Sequence, residues 1–230
     1  MEQTQMGSLL HTAEMVHFAA FGVMILVYSI RLFWLLRFKA GRDRQMPGER
    51  FGDTSISPAV YSMMNVVMPW AMESTRKNLL FYLSFVIFHL GVAAGIFFAF
   101  VNSFYPPLFE IPVVAYAFMA MIGGALLVSI IRIFRRFISS VLRLISSPDD
   151  YFALFTLTVW FALGVPAVAS MVGIVDGEIF LVAYLFATSF FLVYVPFSKI
   201  SHYLYYPFTR YYIGKTLGHR GSMPAARAQV

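Results

Sequence analysis

Asn78–Phe100, NLLFYLSFVIFHLGVAAGIFFAF, is an apolar run with one ionisable side chain at depth, His89. A hydrocarbon core about 30 Å thick is crossed by roughly 20 apolar helical residues, so the run is long enough to span a bilayer. An unpaired imidazole in lipid is costly, and His89 must therefore turn toward a partner inside a helix bundle. Gly91 and Gly95 follow it; two small residues on one side let either a flat bulky group or another helix approach closely. Taken alone, the pattern reads first as a hydrogen-bonded core histidine beside glycine-mediated helix packing.

The composition extends that reading to the whole chain. Of 230 residues, 60% are hydrophobic and only 12% charged, and the mean hydropathy is +0.74, too little polar surface for an aqueous globular domain. Four further stretches match the first, so the expected spans are 14–36, 79–102, 111–131, 151–174 and 179–202: an all-α, polytopic protein with five transmembrane helices. No cleavable signal is expected, because the first apolar run is long and Glu2 precedes it rather than a basic region. With five spans, all 17 Lys and Arg fall on one side, while the other keeps only Glu2, Glu14, Glu110, Asp176 and Glu178. The positive-inside rule then places the N-terminus outside and the C-terminus in the cytoplasm. The same placement beside apolar spans excludes a nucleic-acid partner despite the net charge of +6. The absence of cysteine removes disulfides, thiolate zinc sites, iron–sulfur ligands and covalently attached haem.

The organisation expected is one membrane domain over 1–206, with a cytoplasmic loop at 37–77, and a basic cytoplasmic tail over 207–230. Span one carries His11, Glu14 and His17 near its outer end; Glu14 and His17 are three apart and share a helix face. They read either as quinol proton acceptors or as the interfacial start of a helix. The loop is basic at first and then apolar, ISPAVYSMMNVVMPWAM, a segment suited to a membrane surface or a partner protein through Met68 and Trp70. In span three, Arg132, Arg135 and Arg136 read as interfacial anchors or as partners for haem propionates. Ser147 is an N-cap candidate with Pro148 in the first helical position. Span five is expected to run, bent by Pro196, to His202. At 1.5 Å per residue His89 lies roughly 15 Å from the cytoplasmic end of its span and His202 within about 5 Å of that face, so depth alone does not select a pair of ligands among His17, His89 and His202.

Spans two to five resemble the gamma subunit of respiratory nitrate reductase and the related cytochrome b subunits that sulfate reducers couple to iron–sulfur proteins of the heterodisulfide-reductase type. The motifs are FHLGVAAGIF at Phe88–Phe97, VYVPFSKISHYLYYPF at Val193–Phe208, Arg135–Arg136, and SSPDDYFALFTL from Ser146 with Gly164 and Pro166 beyond it. The resemblance implies that His89 and His202 are the axial ligands of one haem b, with Gly91, Gly95, Arg132, Arg135 and Arg136 around the macrocycle or its propionates. It departs from the family's pattern at the second haem. That pattern needs a histidine ten residues after the first ligand and another eighteen before the last, where this chain has Ala99 and Tyr184. A second haem would have to recruit His17 or His11.

By this resemblance the protein exchanges electrons between menaquinone and a cytoplasmic iron–sulfur subunit, in sulfate respiration or another anaerobic respiration. It would sit in the cytoplasmic membrane of a bacterium or archaeon, with a periplasmic multihaem cytochrome c as a further partner. Two rivals are a haem-free anchor for a redox complex and a small transporter. The second is disfavoured by the lack of buried charge in spans three to five and of an internal repeat.

Overall fold

The computed structural model describes residues 2–38, 56–70 and 73–219. The basic stretch at 39–55 and the end of the tail at 220–230 lie outside them. Every regular element among the described residues is helical. Among the described residues five helices are long and apolar enough to cross a membrane: Met6–Arg37, Leu79–Phe104, Pro112–Ile138, Pro148–Ser170 and Ile179–Phe197. The elements are α1 (Glu2–Arg37), α2 (Ser57–Met64), α3 (Glu73–Lys77), α4 (Leu79–Phe104), α5 (Pro107–Glu110), α6 (Pro112–Ile138), α7 (Ser140–Ile145), α8 (Pro148–Ser170), α9 (Ile179–Tyr194) and α10 (His202–His219).

The expected spans are met by helices, with one change of consequence. Span five stops short of His202: α9 ends at Tyr194, a 3-10 turn covers Val195–Phe197, and Ser198 is extended at φ −104°, ψ 171°. Pro196 has no N–H to close the helix ladder, and the Ser198 hydroxyl accepts from the Ile200 N–H at 3.2 Å, opening a second 3-10 turn at Lys199–Ser201. His202 therefore opens a new helix, α10, which passes through Pro207 to His219. The boundary expected at residue 206 falls inside it. Other local signals act as expected. Asp150 accepts from the Ser147 N–H at 2.8 Å with Pro148 at the first position of α8. Gly173 and Gly177, which sequence reasoning passed over, take φ of +70° and +87° in the α8–α9 loop, a region other residues avoid.

The chain divides into two compact units, Met1–Val27 with Leu83–Pro196, and Tyr28–Tyr82 with Phe197–Val230. In the first, α4, α6, α8 and α9 pack around a dry core that includes Phe98, Ile122, Phe161, Tyr184 and Leu185, all fully buried. Glycines set the approach of the helices. A Cβ on Gly91 would overlap Ala125 and the Met121 carbonyl of α6, and one on Gly95 would stand 2.5 Å from the Trp160 ring of α8. On Gly164 it would meet Tyr184 at 3.0 Å.

In the second unit, α2 lies against one face of α10. Tyr206 donates to the Met63 carbonyl at 3.1 Å and the Arg210 Nε–H to the Ser62 carbonyl at 3.0 Å, supplying partners to the last turn of α2, which no intrahelical N–H reaches. Further along, a Cβ on Gly214 would lie 2.6 Å from the Pro58 carbonyl, and one on Gly218 2.5 Å from Pro58 Cβ. Tyr206, Arg210, Gly214 and Gly218 recur every four residues, the spacing that lines up one helix face.

Candidate functional site

His89 is half-buried on α4, ten residues from the helix start and so about 15 Å along it. Its Nδ1 lies 2.8 Å from the Phe85 carbonyl, and the Phe85 and Phe88 rings stand 4.1 and 5.7 Å from it. A carbonyl only accepts, so Nδ1 carries the proton and the lone pair is on Nε2. His202, in the second unit, is exposed and lies beyond the fifth span. Its Nδ1 donates to the Lys199 carbonyl at 3.1 Å, and its lone pair is again on Nε2. Fixing one ring nitrogen on a carbonyl while the other faces a metal is how ligating histidines are held in orientation, so the donor chemistry of both residues fits a haem iron.

Gly91 and Gly95 serve the other of their two possibilities, because protein fills the space beside them: Ala125 and Met121 at the first, Trp160 at the second. The three arginines of α6 diverge. Arg132 is half-buried, its guanidinium 4.4 Å from the centre of the Phe88 ring and donating to the Ser84 carbonyl at 3.4 Å. Arg136 turns to Ser146 and the face of Tyr151, and Arg135 is exposed. Glu73 and Lys77 form an ion pair at 2.5 Å on the surface. Arg132 thus lies one residue from His89 in its contacts, held by a ring and a carbonyl and by no carboxylate.

His17, Glu14 and His11 do not form a cluster. His17 is fully buried, and neither of its ring nitrogens has a hydrogen-bond partner; Glu14 is half-exposed and His11 exposed. The shared helix face therefore does not become an acid–imidazole pair.

Sequence reasoning passed over Arg31. It was counted among the topology-setting cations, yet in the second unit it sits 5.2 Å from the centre of the Phe197 ring and donates to the Tyr205 hydroxyl at 3.5 Å, beside a Tyr28–Tyr203 hydroxyl pair at 2.7 Å. Burial pushes the Tyr203 phenol above its usual range, with the Tyr28 hydrogen bond opposing, and keeps it neutral. The available signal was Tyr28 and Arg31 three apart, with Arg31 inside an otherwise apolar run.

Among the described residues no three His, Asp or Glu side chains come together as a metal site. No family model, curated protein or solved structure matches the chain.

Proposed function

We propose that the protein is the membrane cytochrome b subunit of a respiratory redox complex. It binds one haem b through His89 and His202 and exchanges electrons between menaquinone or menaquinol and a cytoplasmic iron–sulfur subunit of the heterodisulfide-reductase type. In this reading the basic ends of the spans face the cytoplasm of a bacterium or archaeon, the N-terminus lies outside, and a periplasmic multihaem cytochrome c is a further partner. The observation that carries it is the shared state of the two imidazoles, each giving its Nδ1 proton to a backbone carbonyl of the preceding turn and so keeping the lone pair on Nε2. When bound, haem supplies reversible one-electron chemistry, while the protein fixes its place and surroundings.

The chain's own contributions follow from its side chains. Phe85 and Phe88 give the His89 ring apolar neighbours. Arg132, without a carboxylate, is suited to a propionate, where a charge-assisted hydrogen bond is about twice as strong as a neutral one. The test is a reduced-minus-oxidised spectrum with a pyridine haemochrome assay on the purified protein. A b-type α band is expected, and His89→Ala and His202→Ala are each expected to abolish it. A band that survives in either variant would reassign that ligand.

One observation favours the haem-free anchor instead. The His202 ring is exposed and follows the fifth span, a position that asks for no partner inside the bilayer. A colourless protein that still co-purifies with a redox complex would establish that reading.

A further inference from the structure

His17 occupies the face that the N-terminal half of α1 turns toward protein. Ala13, His17 and Ala20 are buried, whereas Met15, Val16 and Phe18 keep 58%, 40% and 36% of their surface. The imidazole itself is 0% exposed, with both nitrogens unpartnered. Aromatic rings surround it: Phe100 of α4 at 5.0 Å, Phe18 at 6.0 Å, and Phe21 packed 4.6 Å from Phe100. A neutral imidazole brings one N–H donor and one lone pair, and a buried polar group left unmet costs about 1–3 kcal/mol. Phenylalanine in the same place would fill the space without that cost. The arrangement makes physical sense if the donor and the lone pair are met by a molecule from outside the chain. That molecule must be flat and apolar enough to enter from lipid, and must carry a carbonyl or hydroxyl.

We propose that His17 is the polar anchor of a quinone head-group site between α1 and α4, its N–H donating to a ring carbonyl of the quinone or its lone pair accepting from a hydroxyl of the quinol. Phe18, Phe21 and Phe100 supply the apolar walls. Phe18 and Phe100 both keep surface, so a ring arriving from lipid meets aromatic edges first and the imidazole behind them. The proposal rests on the quinone-reactive reading of the protein, and it places the head group on His17 alone, since Glu14 is half-exposed and makes no hydrogen bond to it.

The experiment uses the full chain in nanodiscs and an alkyl-hydroxyquinoline N-oxide, a fluorescent quinol analogue quenched on binding. His17→Phe is expected to weaken binding by about tenfold or more, the effect of losing one good hydrogen bond, with thermal stability equal to wild type or higher. His17→Gln, which keeps a donor and an acceptor, is expected to recover part of the affinity. Unchanged affinity in His17→Phe overturns the site. Should that variant not fold, an azido-naphthoquinone photoprobe on the wild-type protein decides: label in the α1 and α4 peptides around His17 and Phe100 supports the site, and label confined to other helices overturns it. Haem content measured on the same samples separates the two readings. Probe binding through His17 in a haem-free protein overturns the cytochrome assignment alone, and a haem-loaded protein indifferent to His17→Phe overturns this site alone.

Discussion

Gly95 of α4 and Trp160 of α8 are in close contact, and the contact is part of a buried polar knot. Trp160 Nε1 donates to the Thr188 hydroxyl at 2.8 Å, Thr188 donates to the Tyr184 carbonyl at 2.8 Å, and the Tyr184 hydroxyl donates to the Gly95 carbonyl at 2.7 Å. Gly95→Ala would drive a methyl into the indole, an overpacking that costs about 1–3 kcal/mol; Trp160→Phe would make room but lose the bond to Thr188. Each variant is therefore expected to destabilise the protein in denaturant titrations, and the double variant by less than the sum, with a coupling of about 1 kcal/mol. Strict additivity would mean the two do not share the contact. The sequence marked Gly95 as a point of close approach but not what approaches, because the partner is 65 residues away in the chain. The same knot bears on whether the proposed cytochrome could hold a second haem in the pattern of the nitrate reductase gamma subunit that the sequence resembles. Tyr184, at one of the positions where that haem would need a histidine, stacks on Trp160 at 5.6 Å and 15°, and Ala99, at the other, is fully buried. If the protein binds haem as proposed, introducing histidines as Ala99→His with Tyr184→His is expected to leave the haem-to-protein ratio of the purified protein unchanged, because Trp160 and Phe98 already pack against Tyr184; a doubled ratio would show that they yield.

At the scale of elements, α10 depends on α2. Read alone, the stretch from Pro207 onward opens on a helix-interrupting proline, carries three glycines and several cations, and looks like a tail. Its order is tertiary: Tyr206 and Arg210 serve the last carbonyls of α2, Gly214 lets the Pro58–Ala59 backbone come close, and Gly218 makes room for the Pro58 ring. The four-residue recurrence was visible, but it gains meaning only beside a second helix of small residues such as Ala59 and Ser62. Gly214→Val puts branched volume 2.6 Å from backbone atoms that have no rotamer to move, and is expected to detach α2. Hydrogen exchange over Ser57–Met64 should speed up by about tenfold or more, the consequence of losing roughly 1.4 kcal/mol of local stability. Slow exchange retained there would assign the protection of α2 to other contacts. The break between α9 and α10 was partly legible in the same way: Pro196 was read as a bend, but Ser198 as the acceptor that starts a new turn was not, so His202 was expected at the end of a helix and is found at the beginning of one.

At the scale of the molecule, composition and apolar length carried the architecture, because a bilayer leaves the backbone few options besides helices long enough to cross it. Five such helices are present among the described residues. The orientation proposed above rests on a different physical argument, the confinement of every Lys and Arg to one set of loops and ends, and it can be tested cleanly because the chain has no cysteine. Single cysteines at Ser8, exposed in the first turns of α1, and at Thr209, exposed on α10, would each be the only thiol in the protein. With an odd number of spans the two sites lie on opposite faces of the membrane. A membrane-impermeant maleimide is expected to label Ser8→Cys in intact spheroplasts and Thr209→Cys only after permeabilisation. The reverse pattern would place the basic ends outside and remove the route to a cytoplasmic iron–sulfur partner, while labelling of both sites in intact cells would require an even number of crossings and show that one of the five apolar helices does not span.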